Sequence, residues 1–214
     1  MRKITGEQQS LFDTPGSGVP AGPGQDDAEV RLEALRDTTL QCSHCVLRSG
    51  CSRVVFGEGN PRARLMLVGE GPGSDEDRLG RPFVGRAGQL LDRILTAARI
   101  EREEVYITNV VKCRPPSNRL PVQQEVDSCR PFLVEQIELI NPEILICLGA
   151  LATRTLIDRK AAITRIRGQW HEIDGRQVIA TFHPAALLRD PAKKVPVWED
   201  FKEVMKLYNN DQGG

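Results

Sequence analysis

The sequence predicts an α/β fold in which a parallel sheet carries helices on both faces. Four short runs rich in Val, Ile and Leu read as strands buried on both sides: Leu65–Gly69, Val105–Val110, Ile144–Leu148 and Val178–Phe182. Longer segments with apolar residues at helical spacing lie between them, and strand–helix alternation is the pattern of parallel sheets. The chain has 214 residues, 40% of them hydrophobic, which suits one domain with a sizeable core. No apolar run approaches the roughly 18 residues of a membrane span.

In chain order, residues 1–28 predict a disordered tail. Seven of the ten residues from Pro15 to Gly24 are Gly or Pro, which cannot bury a core. The tail begins MRKITGEQQSLFDTPG, without the apolar stretch of a secretory signal, so a cytoplasmic chain is expected. The domain spans 29–214 and opens on a short helix near Glu29, marked by Val30, Leu32, Leu35 and Leu40. After the first strand, Gly85–Ala98 carries Leu90, Leu91, Ile94, Leu95 and Ala98 at helical spacing. Pro121–Ile140 follows the second, with Pro in its first turn and then Val122, Val126, Cys129, Leu133 and Ile137. Ala150–Ile157 follows the third strand, and Val197–Tyr208 closes the chain.

Open α/β sheets bind ligands at the carboxyl ends of their strands. After the first strand stands Gly69-Glu70-Gly71-Pro72-Gly73-Ser74-Asp75-Glu76-Asp77. Its glycines allow close backbone approach, but the spacing matches neither the dinucleotide fingerprint nor a phosphate loop. Its acidic residues repel phosphate and suit water activation. Phe83, in Gly80-Arg81-Pro82-Phe83-Val84-Gly85, is either a core anchor or a stacking platform for a base. Asn109 ends an apolar strand, and its amide offers an acceptor and donors in one plane, as a nucleobase edge requires. It equally suits a buried Asn bonded to backbone. After the fourth strand comes Phe182-His183-Pro184-Ala185-Ala186-Leu187-Leu188-Arg189. His183 sits where the fold places ligands. Leu187 and Leu188 form either a core turn or an apolar wedge for a DNA stack, with Arg189 on phosphate.

Six cysteines in a reduced compartment point to metal rather than disulfides. Cys42-Ser43-His44-Cys45 is a C-x-x-C pair, and Cys113 and Cys129 form a second pair. Four thiolates from two separated pairs suit zinc or an iron–sulfur cluster, and the spacing does not choose between them. Cys51 and His44 compete as ligands, while Cys147 lies inside an apolar strand as a buried thiol.

Taken together, these stretches closely resemble the iron–sulfur, family-four type of uracil-DNA glycosylase. The resemblance runs from Cys42 to about Pro191. It rests on the C-x-x-C, Val54–Pro61, Gly69–Asp77, Gly80–Leu91, Tyr106–Arg119, Cys129 and Phe182–Arg189. It implies a three-layer α/β/α sandwich around a central four-stranded parallel sheet. It also implies an enzyme that removes uracil from DNA by hydrolysing the N-glycosidic bond, the first step of base excision repair. Cys42, Cys45, Cys113 and Cys129 would hold a [4Fe-4S] cluster, with Cys51 extra to the usual pattern. His183 and Glu70 would be catalytic. Glu70, Gly71, Pro72, Gly73, Glu76, Phe83, Asn109 and His183 would bind uracil, and Leu187, Leu188 and Arg189 would touch DNA. Some iron–sulfur relatives instead become covalently trapped through a His in an inserted basic loop. The corresponding stretch here, Ile163–His171, has no Arg-Arg-Ile-His insertion, which favours turnover. An inactive iron–sulfur binding module is disfavoured by the intact His183, Asn109 and Glu70.

The expected partner is uracil-containing DNA, single- or double-stranded, met by a monomer acting in the cytoplasm at the nucleoid. Gln8, Leu11 and Phe12 resemble short peptides that bind bacterial sliding clamps, with the Gly/Pro stretch as tether. The charge balance, 29 basic against 29 acidic residues, does not exclude DNA. Between Leu151 and Trp198, nine basic residues outnumber four acidic ones around the proposed wedge.

Overall fold

Alternation of side chains along each strand is what separates the two core layers of this chain. The computed structural model describes residues 25–210. In order they form α1 (Gln25–Leu40), α2 (Leu47–Gly50), β1 (Glu58–Gly59), β2 (Leu65–Gly69), α3 (Ser74–Leu79), α4 (Arg86–Ala97), β3 (Tyr106–Asn109) and α5 (Gln123–Ile140). There follow β4 (Ile144–Leu148), α6 (Ala150–Leu156), α7 (Ile163–Ile166), β5 (Trp170–Ile173), β6 (Arg176–Thr181), α8 (Pro184–Arg189) and α9 (Lys194–Asn210). The sheet order is β1-β3-β2-β4-β6-β5. The inner four strands are the expected parallel set, and every residue of β2, β3 and β4 is buried.

Met66, Val68, Leu145, Cys147, Val178 and Ala180 pack to one side, against Leu32 and Leu35 of α1, Leu133 and Ile137 of α5 and Leu156 of α6. Leu65, Leu67, Ile107, Ile144, Ile146 and Ile179 pack to the other, against Leu91 and Leu95 of α4, Leu187 of α8 and Phe201 and Val204 of α9. The result is the expected three-layer sandwich. Among the described residues no helix is long and apolar enough to cross a membrane.

The sheet is wider than the four expected strands. β1 adds antiparallel to β3, and β5 adds antiparallel to β6. The β5–β6 turn is Asp174-Gly175, both with positive φ (49° and 77°), the backbone that suits a two-residue hairpin. That dipeptide was a readable hairpin signal. Pro121 does not enter the first turn of α5. The helix starts two residues later, with the Glu125 carboxylate accepting the Val122 N–H at 2.9 Å. Helix α1 begins at Gln25, four residues ahead of the expected boundary. The rest of the expected tail, with Gln8, Leu11 and Phe12, lies outside the described residues.

Candidate active site

Strands β2 and β3 end in register, Gly69 beside Asn109. A Cβ on Gly69 would collide with Asn109 Oδ1 and with the Phe83 ring, so the missing side chain is what lets amide and ring meet. Asn109 is 1% exposed, and its Oδ1 has no hydrogen-bond partner among the described residues. A buried acceptor left unpaired costs free energy unless a ligand takes it.

Phe83 adopts φ 51°, a conformation that costs a bulky residue about 1–3 kcal/mol and persists only when its surroundings over-determine it. Here they do. Glu76 Oε1 accepts the N–H groups of Val84 (2.9 Å) and Gly85 (2.8 Å), and Arg102 Nη2 donates to the Pro82 carbonyl at 2.8 Å. Gly88 of α4 leaves room for the Phe83 carbonyl.

The His183 ring stacks near Phe83, with centroids 5.5 Å apart and planes 29° from parallel. His183 caps α8, and its Nδ1 accepts the Ala185 N–H at 3.1 Å. An accepting Nδ1 leaves the proton on Nε2, so the neutral ring is a donor. Burial, helped by Arg189, lowers its pKa to about 4, which keeps it neutral at physiological pH. Gly149, at φ 94° beyond β4, gives the ring its place: a Cβ there would stand 2.9 Å from His183 Cβ.

The structure separates the acidic residues of the first loop. Burial raises the pKa of Glu70 above its ordinary value, while Arg189 and Arg154 draw it back. Glu70 is therefore the partly buried carboxylate facing two guanidinium groups. Glu76 spends both oxygens on backbone, Oε2 accepting Gly73 N–H at 3.1 Å, so it ties the first loop to the Phe83 turn. Asp77 is buried and accepts the N–H groups of Ser52 (2.8 Å) and Arg53 (3.2 Å). Asp75 is exposed and pairs with Arg78. Gly71 lies against Val111, whose N–H donates to the Glu70 carbonyl at 3.2 Å, and Pro72 is buried beside it.

The two leucines of the expected wedge part company. Leu187 is 1% exposed and belongs to the core beneath α8, which removes it from the DNA-contact set. The two side chains point about 100° apart on α8, and Leu187 takes the direction that faces the core. Leu188 faces out, with Arg189 exposed after it.

Cys42, Cys45, Cys113 and Cys129 line one pocket with His44, Val54, Val111 and Phe132. The N–H groups of His44 and Lys112 point at Cys42 Sγ (3.5 Å) and Cys129 Sγ (3.3 Å). Cys51 does not line it and donates instead to the Arg48 carbonyl at 3.6 Å. Cys147 is sealed within β4. Among the described residues no three His, Cys, Asp or Glu side chains are gathered to hold one metal ion. Four thiols lining one pocket are the donor set of a soft metal or an iron–sulfur group.

Sequence reasoning missed Gly149, Arg102 and Arg154. Gly149 was findable, since it follows the third predicted strand at a ligand-binding end. Arg102 was not, because only the folded chain brings it to Pro82.

The fold and this strand-end site define a DNA glycosylase of the uracil class. The uracil DNA glycosylase superfamily model matches residues 56–202. A type-4 uracil-DNA glycosylase of Thermotoga maritima is 47% identical over 86% of this chain and 97% of its own. Type-4 enzymes of Archaeoglobus fulgidus (41%, covering 85% and 96%) and Sulfurisphaera tokodaii (40%, covering 82% and 84%) follow. The chain belongs to the type-4 family of the uracil-DNA glycosylases.

Proposed function

We infer that this chain removes uracil from DNA by hydrolysing the bond between base and deoxyribose, leaving an abasic site as the first step of base excision repair. The observation that carries the reading is the orphaned Asn109 Oδ1, grouped around Phe83 with an Nε2-protonated His183. The bond is unreachable in a stacked duplex, so the base must first be flipped out. Phe83 stacks on the flipped base. Asn109 Oδ1 accepts the uracil N3–H and its amide donates to O4. Cytosine inverts both groups and would leave buried polar atoms unpaired.

As the bond breaks, the sugar becomes cationic and the departing base anionic. His183 Nε2–H donates to uracil O2 where charge collects, without transferring its proton. Preorganised donors of this kind are usually the largest catalytic contribution. The Glu70 carboxylate stabilises the cationic sugar and orients the water that attacks it. The Gly71–Gly73 backbone closes the site, and Glu76 holds that backbone in place. Leu188 fills the gap in the stack and Arg189 meets phosphate.

Cys42, Cys45, Cys113 and Cys129 hold a [4Fe-4S] cluster, supported by their convergence on one pocket. Through these residues the segment between α1 and α2, the loop after β3 and the middle of α5 would be cross-linked on the cluster, which would supply structural rigidity and no step of the hydrolysis. Brown protein whose broad visible absorbance bleaches on reduction supports it, and colourless metallated protein supports zinc. The work is done on chromosomal DNA in the cytoplasm. Gln8, Leu11 and Phe12 tether the enzyme to a sliding clamp. Unchanged clamp co-elution of the Leu11→Ala/Phe12→Ala variant overturns that part.

The main test is incubation with uracil-containing oligonucleotides. Repeated release of free uracil is expected. A denaturation-resistant adduct would show a covalent trap, and binding without either would show an inactive module.

A further inference from the structure

Lys112 is 1% exposed, the largest side chain sealed in the core. Its Nζ donates to Thr108 Oγ1 (2.6 Å), Gln136 Oε1 (2.5 Å) and the Asn109 carbonyl (2.8 Å). Three acceptors match the three N–H bonds of an ammonium group. Burying an amine with no carboxylate beside it is costly, enough to lower the Lys112 pKa to about 7, and an apolar residue of similar volume often packs as well or better. The cost is borne at one place, the turn between the uracil site and the thiol pocket.

That turn needs holding. β1 pairs only as far as Ile107, so the outer edge of β3 has no strand beyond that point. The Asn109 peptide lies past it, and Lys112 supplies the bond to its carbonyl. Thr108 and Gln136 steady the lysine from the α5 layer. Thr108 Oγ1 donates to the Phe56 carbonyl (2.7 Å), and Gln136 Nε2 donates to the same carbonyl (3.0 Å) and to Tyr106 Oη (3.2 Å). The Asn109 side chain meets Gly69 and Phe83. One peptide thus has its side chain in the uracil site and its carbonyl gripped by a residue of the core.

We propose that Lys112 is a positioning residue for uracil recognition: through the Asn109 carbonyl it fixes the angle at which the Asn109 amide meets the base. The proposal rests on the reading of Asn109 as the group that recognises uracil. A misplacement of about 1 Å in such a contact costs on the order of 100-fold in rate.

The test uses full-length protein with its cluster, in the variants Lys112→Met, Thr108→Val and Asn109→Ala. Each is measured for single-turnover uracil excision, inhibition by free uracil, affinity for abasic-site DNA and visible absorbance. Lys112→Met should lose about 10- to 100-fold in excision and in free-uracil affinity. Its abasic-DNA affinity and absorbance should not change, because neither reports on the amide. Thr108→Val strips an acceptor from the same network but leaves Lys112 on the Asn109 carbonyl, so excision should stay within about threefold of the parent.

Lys112→Met that keeps its free-uracil affinity overturns the proposal, as does one whose abasic-DNA affinity falls in step. If Lys112→Met does not fold, Thr108→Val decides, and a loss as deep as that of Asn109→Ala overturns it. Asn109→Ala with undiminished free-uracil affinity would sink the underlying reading of the site instead.

Discussion

The uracil site and the four-thiol pocket sit at opposite ends of the five residues Asn109–Cys113, and they are built in opposite ways. In the uracil site each working group is held by another part of the chain. Ala185 fixes the His183 tautomer, Glu76 and Arg102 pin the Phe83 turn, and Gly69 and Gly149 clear the space. Among the described residues the buried Asn109 Oδ1 is left without a partner at this site. In the thiol pocket the sulfurs come from the segment between α1 and α2, the loop after β3 and the middle of α5. Cys42, Cys45 and Cys129 are half-buried, and few bonds to the sulfurs fix their positions. The first site is preorganised for a passing ligand. The second would be completed by the cluster proposed for it, whose binding energy would then become folding energy.

The sharpest way to break this contrast is at His183. His183→Ala should slow single-turnover excision by about 100- to 1,000-fold, the usual cost of one preorganised donor. Visible absorbance should hardly change, because the ring touches nothing in the thiol pocket, and melting should fall only by the cost of a lost helix cap, about 0.5–2 kcal/mol. An undiminished rate on single-stranded substrate would remove His183 from the mechanism. Cys113→Ser should do the reverse. The variant should lose visible absorbance and melt at lower temperature, yet its folded fraction should keep excision within about tenfold of the parent. A loss as deep as that of His183→Ala would show the two regions to be one functional unit.

What could be read from the sequence follows the same division. Cysteine pairs and apolar strands are local patterns, so the inner parallel strands and the two cysteine pairs were legible in the order of residues, though Cys51 and His44 still competed with the pairs as ligands. The strand-end rule singled out the loops that carry Glu70, Asn109 and His183, and the roles proposed for them came from the family resemblance. The separate duties of Glu70, Glu76 and Asp77 were not legible, because they depend on which backbone N–H groups fold within reach of each carboxylate. The roles of Arg102 and Lys112 were hidden for the same reason. Nor could Leu187 be told from Leu188 until the helix phase of α8 was known.

The pH profile sharpens the account of the uracil site. His183 has a folded pKa of about 4, below the unfolded value. Its contribution to stability is therefore complete above about pH 6.5 and is lost as pH falls toward the folded value. Activity should show no limb near 6.5, since the ring is neutral on both sides of it. On the proposed mechanism the acid limb above His183's own titration belongs to Glu70, which acts as a carboxylate and whose pKa burial raises above its ordinary value. Single-turnover rates measured from pH 4 to 8 should fall on that limb, and Glu70→Gln should flatten it along with lowering the rate. A limb near 6.5 that disappears in His183→Ala would mean that the active ring is the cation.

The smallest expected effect concerns the two leucines of α8, and it separates positions that are adjacent in sequence. Leu187→Ala removes a core side chain and should cost about 2–5 kcal/mol of stability, with excision by the folded protein little changed. Leu188→Ala removes an exposed side chain and should leave melting unaltered. Its deficit should appear only on duplex substrate, as a fall of a few-fold, because a single strand has no stack to fill. Arg189→Ala should lower the slope of log affinity against log salt by about one, the signature of a lost phosphate contact. Equal losses on both substrates for Leu188→Ala would assign Leu188 to the uracil site itself. No change on either would leave duplex opening to the bases' own dynamics, with the enzyme capturing uracil after it emerges.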